Sequence, residues 1–193
     1  MPSVFLVSDT HFGHMGVCKF LRSDGVTKLR PFDNPDEMDE HMVKVWNERV
    51  KPTDKVYHLG DVVINRKALN IMRRLNGDKV LIKGNHDIFK LEDYTAHFRD
   101  IRAYHVMNGL ILSHIPVHES NLYRFGCNIH GHLHANHVMR SNGYGGEVID
   151  ERYFNACVEN HDFGPVLFED ALKQIKERGG VVGFRDVPVG GPD

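Results

Sequence analysis

Val4-Phe5-Leu6-Val7-Ser8-Asp9-Thr10-His11 is the stretch from which the rest of the chain is read. Its first four residues form a short apolar run, the pattern of a buried strand, and a polar turn carrying an aspartate and a histidine follows at once. The same order recurs downstream. Lys55–Leu59 is a second strand and runs into Gly60-Asp61, and Lys79–Lys83 is a third and runs into Gly84-Asn85-His86-Asp87. Cys127–His130 leads into Gly131-His132-Leu133-His134. Groups placed directly after the strands of an α/β sheet lie where such sheets bind ligands, outside the carboxyl ends of the strands.

Between these strands the pattern predicts helices. Asn34 is an N-cap, Pro35 stands at the first helical position, and Asp36, Glu37 and Asp39 favour the positive end of the helix dipole. Met38, Met42, Val45, Trp46 and Arg49 share a face, read as core packing, and Pro52 ends the helix. Arg66–Leu75 is a short helix with Leu69, Met72 and Leu75 as its apolar points; Leu91–Phe98 is another, and Phe168–Arg178 a third, stopped at Gly179-Gly180. Ile101–Val106 and Leu110–Ser113 are strands joined by a hairpin at Asn108-Gly109, and Tyr153–Val158 is a later strand. Asp9 to Asp36 and His137–Gly146 read as loops. Strands alternating with helices make an α/β domain. One domain over residues 1–193 is expected, with 187–193 as a flexible tail.

The bulk numbers narrow the function. A net charge of -2 predicts no general attraction to nucleic acid or anionic membrane, although a metal centre can supply local positive charge to a nucleotide or short nucleic acid. Cys18, Cys127 and Cys157 have neither a zinc-site spacing nor a disulfide framework, so reduced thiols and a cytoplasmic protein are expected. No run approaches the roughly 20 apolar residues of a membrane span, and the first residues lack a signal-peptide pattern. The unusual number is 14 histidines, the commonest metal ligand and the usual acid–base residue near neutral pH.

In an extended segment residues i and i+2 face the same side, so Asp9/His11 and His132/His134 can each aim two donors in one direction. A carboxylate can bridge two cations, a job that suits Asp61. Gly60, Gly84 and Gly131, beside these residues, would let the backbone turn sharply and approach closely. Imidazole, carboxylate and amide oxygen without thiolate suit manganese, iron, zinc or nickel better than a structural zinc site.

The ordered series Asp9-x-His11, Gly60-Asp61, Gly84-Asn85-His86-Asp87, His114 and Gly131-His132-x-His134 resembles the signature of the calcineurin-like metallophosphoesterases. The resemblance implies an α/β fold in which a two-sheet β-sandwich is flanked by helices in four layers, α/β/β/α. It implies two divalent metal ions, manganese foremost, with Asp9, His11 and His134 on one, Asn85, His114 and His132 on the other, and Asp61 bridging. His86 matches the family's catalytic histidine. The implied reaction is hydrolysis of a phosphate ester by a metal-bridging hydroxide. Val62-Val63-Ile64-Asn65-Arg66 follows Gly60-Asp61 where the protein serine/threonine phosphatases carry Tyr-Val-Asp-Arg-Gly, and Asp87 stands where they carry Glu. Both departures point to the compact bacterial or phage-type phosphoesterases, with phosphodiesters slightly preferred over phosphomonoesters. A binding scaffold of the same fold is the alternative, and the complete ligand set and His86 argue against it.

Around this set, His14, His118 and Arg66 are candidates for contact with substrate; for the two histidines, a supporting or solvated role is the favoured alternative. Lys19, Arg22, Lys28 and Arg30 read as solvated charges or as a greeting for an anionic substrate. Gly143–Gly146 is a connector, and Asn155–Asn160 carries no assigned chemistry. The oligomeric state and the physiological substrate are not written in these motifs.

Overall fold

Strand alternation divides the protein into two cores. In β1 (Val4–Val7), Phe5 and Val7 point to one side and Leu6 to the other. β2 (Lys55–His58) repeats this with Val56 and Tyr57, and β3 (Asp78–Ile82) with Leu81 against Val80 and Ile82. Strands buried on both faces need near-continuous apolar runs, which is why these read so plainly. The computed structural model describes residues 2–184; the tail expected at 187–193 lies outside them.

One sheet has the order β11-β1-β2-β3-β4, in which β4 is Asp100–Arg102 and β11 is Val166–Leu167. β1 to β4 are parallel and β11 is antiparallel to β1. The second sheet runs β10-β7-β6-β5, built from Tyr153–Asn155, Asn128–His130, Leu110–Leu112 and His105–Met107. Its first three strands are parallel and β5 is antiparallel. The carboxyl ends of β1, β2 and β3 therefore open on one edge, and those of β6 and β7 share an edge of their sheet.

The outer core of the first sheet is roofed by α1 (Pro35–Arg49). Asn34 caps it by accepting from the Glu37 N–H at 2.9 Å. Met38, Met42 and Trp46 are almost wholly buried, each contributing about 1.5–3 kcal/mol, so this stripe is core; Val43 is buried as well, beyond the expected face. The inner core lies between the sheets, where Leu6, Val80 and Ile82 meet Leu112, Ile129 and Phe154, and α3 (Phe168–Glu177) adds Ala171 and Ile175. The far side of the second sheet is covered by a 3-10 turn, Glu119–Tyr123, which seats Leu122 against Ile111 and Tyr153. This is the expected α/β class, two packed sheets with flanking helices.

Several local expectations change. Arg66–Arg74 is a 3-10 helix, and its buried points Leu69, Met72 and Leu75 recur every third residue, the period of that helix. α2 is only Leu91–Thr95. The strand expected over Ile101–Val106 is two strands, because the chain leaves the first sheet after Arg102 and enters the second at His105. Its hairpin turn is as read, with positive φ at Asn108 (51°) and Gly109 (71°). The 137–146 loop contributes to a small exposed hairpin, β8 (Met139–Ser141) with β9 (Glu147–Ile149).

Candidate metal centre

The turns after β1, β2, β3, β6 and β7 bring together the side chains singled out in the sequence. Asp9, His11 and His134 form one group whose donor atoms lie within 4.8 Å of one another, and Asp61, His114 and His132 form a second by the same measure. Oδ2 of Asp61 stands between the groups, 3.7 Å from His11 Nε2 and 3.4 Å from His114 Nε2. Donors about 2.1 Å from a shared tetrahedral cation are roughly 3.4 Å apart, so these separations leave room for an ion at each group. Asn85 joins the second group, with Oδ1 2.8 Å from His114 Nε2.

The backbone is bent to achieve this. Asp9, His11, Asp61, His132 and His134 all have φ between 48° and 69°, the left-handed region that costs a non-glycine residue about 1–2 kcal/mol. Strain concentrated at residues that converge on one point indicates a site rather than a packing accident. The turns are also laced together: Asp9 N–H donates to Gly60 O (3.0 Å), His11 N–H to Asp61 O (3.1 Å) and Gly131 N–H to His114 O (2.9 Å). A Cβ on Gly131 would fall 1.9 Å from Ser8 Oγ and 2.4 Å from Asp9 Oδ2, and one on Gly84 would fall 2.3 Å from Asp61 Oδ1, so glycine is what allows these approaches.

Hydrogen bonds sort the donor atoms. Oδ2 of Asp9 accepts from Ser8 Oγ (2.6 Å), His132 N–H (2.8 Å) and Cys157 Sγ (3.2 Å). Oδ1 of the same carboxylate is buried with no partner, as are both ring nitrogens of His11. Leaving such atoms unsatisfied costs about 1–3 kcal/mol each, and a cation among them would remove that cost. His114 Nδ1 is turned to Leu59 O at 2.8 Å and His134 Nδ1 to Glu159 Oε1 at 2.8 Å, which directs each Nε2 at the centre. The residues present fit a pair of divalent cations.

The electrostatics agree. Burial alone would raise the Asp9 carboxyl, but His11, His114 and His134 hold it far below the ordinary carboxylate value. Burial likewise opposes the charge on Asp61, and His114 with the His86 N–H outweighs it, so this carboxyl is also lowered. Both acids are anionic and ready to meet cations. Asp87, in the turn after β3, accepts from Asp61 N–H (2.8 Å), Val62 N–H (3.0 Å) and Gly84 N–H (2.8 Å), clamping two of the converging turns.

His86 is exposed at the rim, its ring 5.6 Å from that of His11, and its N–H donates to Asp61 Oδ1 at 2.8 Å. His14 also borders the group, 5.7 Å from His11. The structure does not bring His118 or Arg66 to it by any contact. His118 caps the 119–123 turn and lines a separate groove with Arg140 and Arg152, while Arg66 pairs with Asp93. Arg30, read as solvated or substrate-facing, is fully buried and paired with Glu159. A groove of about 440 Å³ opens beside Asn85 and His114, walled by Tyr104 and Ile115, which are 60% and 53% exposed. A larger cavity of about 610 Å³, between Arg49 and α3, touches none of the converging residues.

No family model matches the chain. It is 36% identical over 188 residues to the uncharacterized protein MJ1445 of Methanocaldococcus jannaschii, across 94% of this chain and 96% of that one. Among solved structures it is similar to the protein of unknown function AQ665 from Aquifex aeolicus, with a TM-score of 0.63 and 24% identity over 90% of this chain and 100% of that one. That likeness shows a shared fold. An archaeal phosphodiesterase is similar with a TM-score of 0.44 and 17% identity over 79% of this chain and 82% of that one, too distant to speak of activity. Among the described residues no helix is long and apolar enough to cross a membrane.

Proposed function

The chain belongs to the family of the uncharacterized protein MJ1445, and we propose that it is a dinuclear metal-dependent phosphoesterase. The observation that carries this reading is Asp61 Oδ2 set between His11 and His114, a carboxylate oxygen shared by two groups of donors. Asp9, His11 and His134 would hold one cation and Asn85, His114 and His132 the other, with Asp61 common to both. Imidazole with carboxylate and amide oxygen suits manganese, iron, zinc or nickel, and manganese is the ion of the proposal. When bound, such a pair neutralises phosphate charge and lowers the pKa of a water towards 7, making it a nucleophile at neutral pH.

The protein's own groups supply the rest. His86, at the exposed rim, donates a proton to the departing ester oxygen and places positive charge beside the phosphoryl group. Its N–H bond to Asp61 Oδ1 fixes its backbone against the bridging carboxylate. Asp87 keeps the Asp61 and Asn85 turns in register.

The groove beyond Asn85 and His114 supports a preference for diesters over monoesters, since it offers the second ester arm a place to lie. A nucleotide or short nucleic acid fits this reading. The buried thiols of Cys18 and Cys157, one of them against Asp9, favour a reducing cytoplasmic setting. Manganese-loaded protein should hydrolyse bis-p-nitrophenyl phosphate faster than p-nitrophenyl phosphate. The reverse order would favour the monoesterase reading, and no turnover of either or of nucleotide substrates would defeat the enzymatic one.

A further inference from the structure

Arg30 and Glu159 are separated by 129 positions and meet with both side chains fully buried. Arg30 donates from Nε (2.9 Å) and Nη2 (2.7 Å) to Glu159 Oε1. The guanidinium also holds the strained turn after β1: Nη1 donates to Thr10 O at 2.7 Å and Nη2 to Asp9 O, with Met38 Sδ 3.4 Å from Nη1. Oε1 of Glu159 also receives Nδ1 of His134 at 2.8 Å. An ion pair taken wholly out of water is costly, and an apolar pair of similar volume commonly stabilises a fold as well, so stability alone is a weak reason for it to be here.

What the pair touches is specific. Its contacts reach Asp9 and His134, two of the three groups proposed to hold one cation, and they reach them in ways that matter to ligation. Oε1 of Glu159 takes both Arg30 bonds and stands 2.8 Å from His134 Nδ1, so one carboxylate oxygen joins the buried guanidinium to the imidazole. With Nδ1 held by Glu159, the other ring nitrogen of His134, Nε2, is turned towards Asp9 Oδ1, 3.9 Å away. Arg30 pins the carbonyls of Asp9 and Thr10 while Asp9 sits at φ 57°. One histidine of the second group has a different support: His114 Nδ1 faces the neutral carbonyl of Leu59.

We infer that Arg30 and Glu159 are positioning residues for the Asp9/His11/His134 half of the centre, orienting two of that cation's three ligands directly while the second group is reached only through Asp9. The inference rests on the proposed metal centre and adds an asymmetry to it. It also gives the long segment between β1 and α1 a function at Arg30: one residue of it is built into the centre's support.

The test is manganese binding, followed by titration calorimetry and metal analysis, with the Co(II) absorption spectrum as a second readout of ligand geometry. Removing a group that orients a metal-bound histidine typically weakens binding 10–100-fold. Glu159→Gln and Arg30→Lys should weaken one of two binding events by that factor and leave the other within about twofold; Glu159→Asp, which keeps the charge, should restore part of the loss. The Co(II) spectrum should change for one of two ions. Wild-type affinity at both sites in Glu159→Gln, or an equal loss at both, would overturn the inference. Should Glu159→Gln fail to fold, the same two outcomes are read from Arg30→Lys and Glu159→Asp. A wild-type protein that takes up no divalent cation would instead overturn the proposed function.

Discussion

The N–H of His86 donates to Oδ1 of Asp61 across 2.8 Å, tying the exposed histidine at the rim to the carboxylate placed between the two donor groups. That bond belongs to the backbone, so replacing the His86 side chain leaves it in place. His86→Ala should therefore retain full metal content while kcat falls about 10²–10⁴-fold, the usual contribution of a positioned acid. Steady-state kinetics beside metal analysis check this; normal turnover would remove His86 from the reaction.

Asp87 serves the fold of the centre rather than its chemistry. It is buried and accepts three backbone N–H bonds from two different turns. Asp87→Ala orphans all three donors, at about 1–3 kcal/mol each, and should destabilise the protein by at least roughly 3 kcal/mol. Asp87→Asn keeps one oxygen and should fall between. Urea denaturation of the three proteins measures it, and a loss below 1 kcal/mol in Asp87→Ala would contradict the clamp.

His58 makes stability depend on pH. Its ring is wholly buried, with Nδ1 accepting from Gly60 N–H at 3.2 Å and Nε2 3.0 Å from Thr10 Oγ1. Burial pushes its pKa down to about 3, against an ordinary value of 6.5. The unfolded chain thus takes up this proton first as pH falls. The contribution is complete above pH 6.5 and is lost progressively from there down to about 3. Between pH 7.5 and pH 5 it amounts to about 2 kcal/mol. Denaturation of wild type and His58→Gln at those two pH values should show a smaller drop in the variant; parallel drops would show that His58 titrates normally.

Tyr104 tests the groove. It stands exposed on one wall, with Ile115 on the other. If an aromatic ester arm lies there, Tyr104→Ala should raise KM for bis-p-nitrophenyl phosphate about tenfold, in line with roughly 1–3 kcal/mol for stacking on an aromatic side chain. The KM for a methyl diester should move much less. Equal effects on both would place the arm elsewhere.

Much of this arrangement was legible in the sequence because its signals are local. An apolar run ending in Gly-Asp or Gly-Asn-His announces a strand and the turn after it, and Asn34-Pro35 announces a helix start that the structure caps as expected. Asp9, Asp61, Asn85, His114 and His132 each follow a strand, three of them in one sheet and two in the other, and the packing of the two sheets brings those strand ends together. What escaped was non-local or ambiguous. Arg30 looked like a solvated loop charge, and nothing near it in sequence points to Glu159 far along the chain. The 101–106 segment is apolar enough for one strand, and only the packing of two sheets splits it at Ala103-Tyr104. The β8–β9 hairpin was hidden by glycines and by a lack of buried residues.

The central claim is that Asp61 is shared by two cations, and anomalous scattering at the manganese edge from crystals grown with manganese tests it most directly. Two peaks about 3.5–4 Å apart, with an Asp61 oxygen bonded to both, Asp9, His11 and His134 around one and Asn85, His114 and His132 around the other, are the expected result. A single peak, or two peaks with Asp61 bonded to neither, would contradict it.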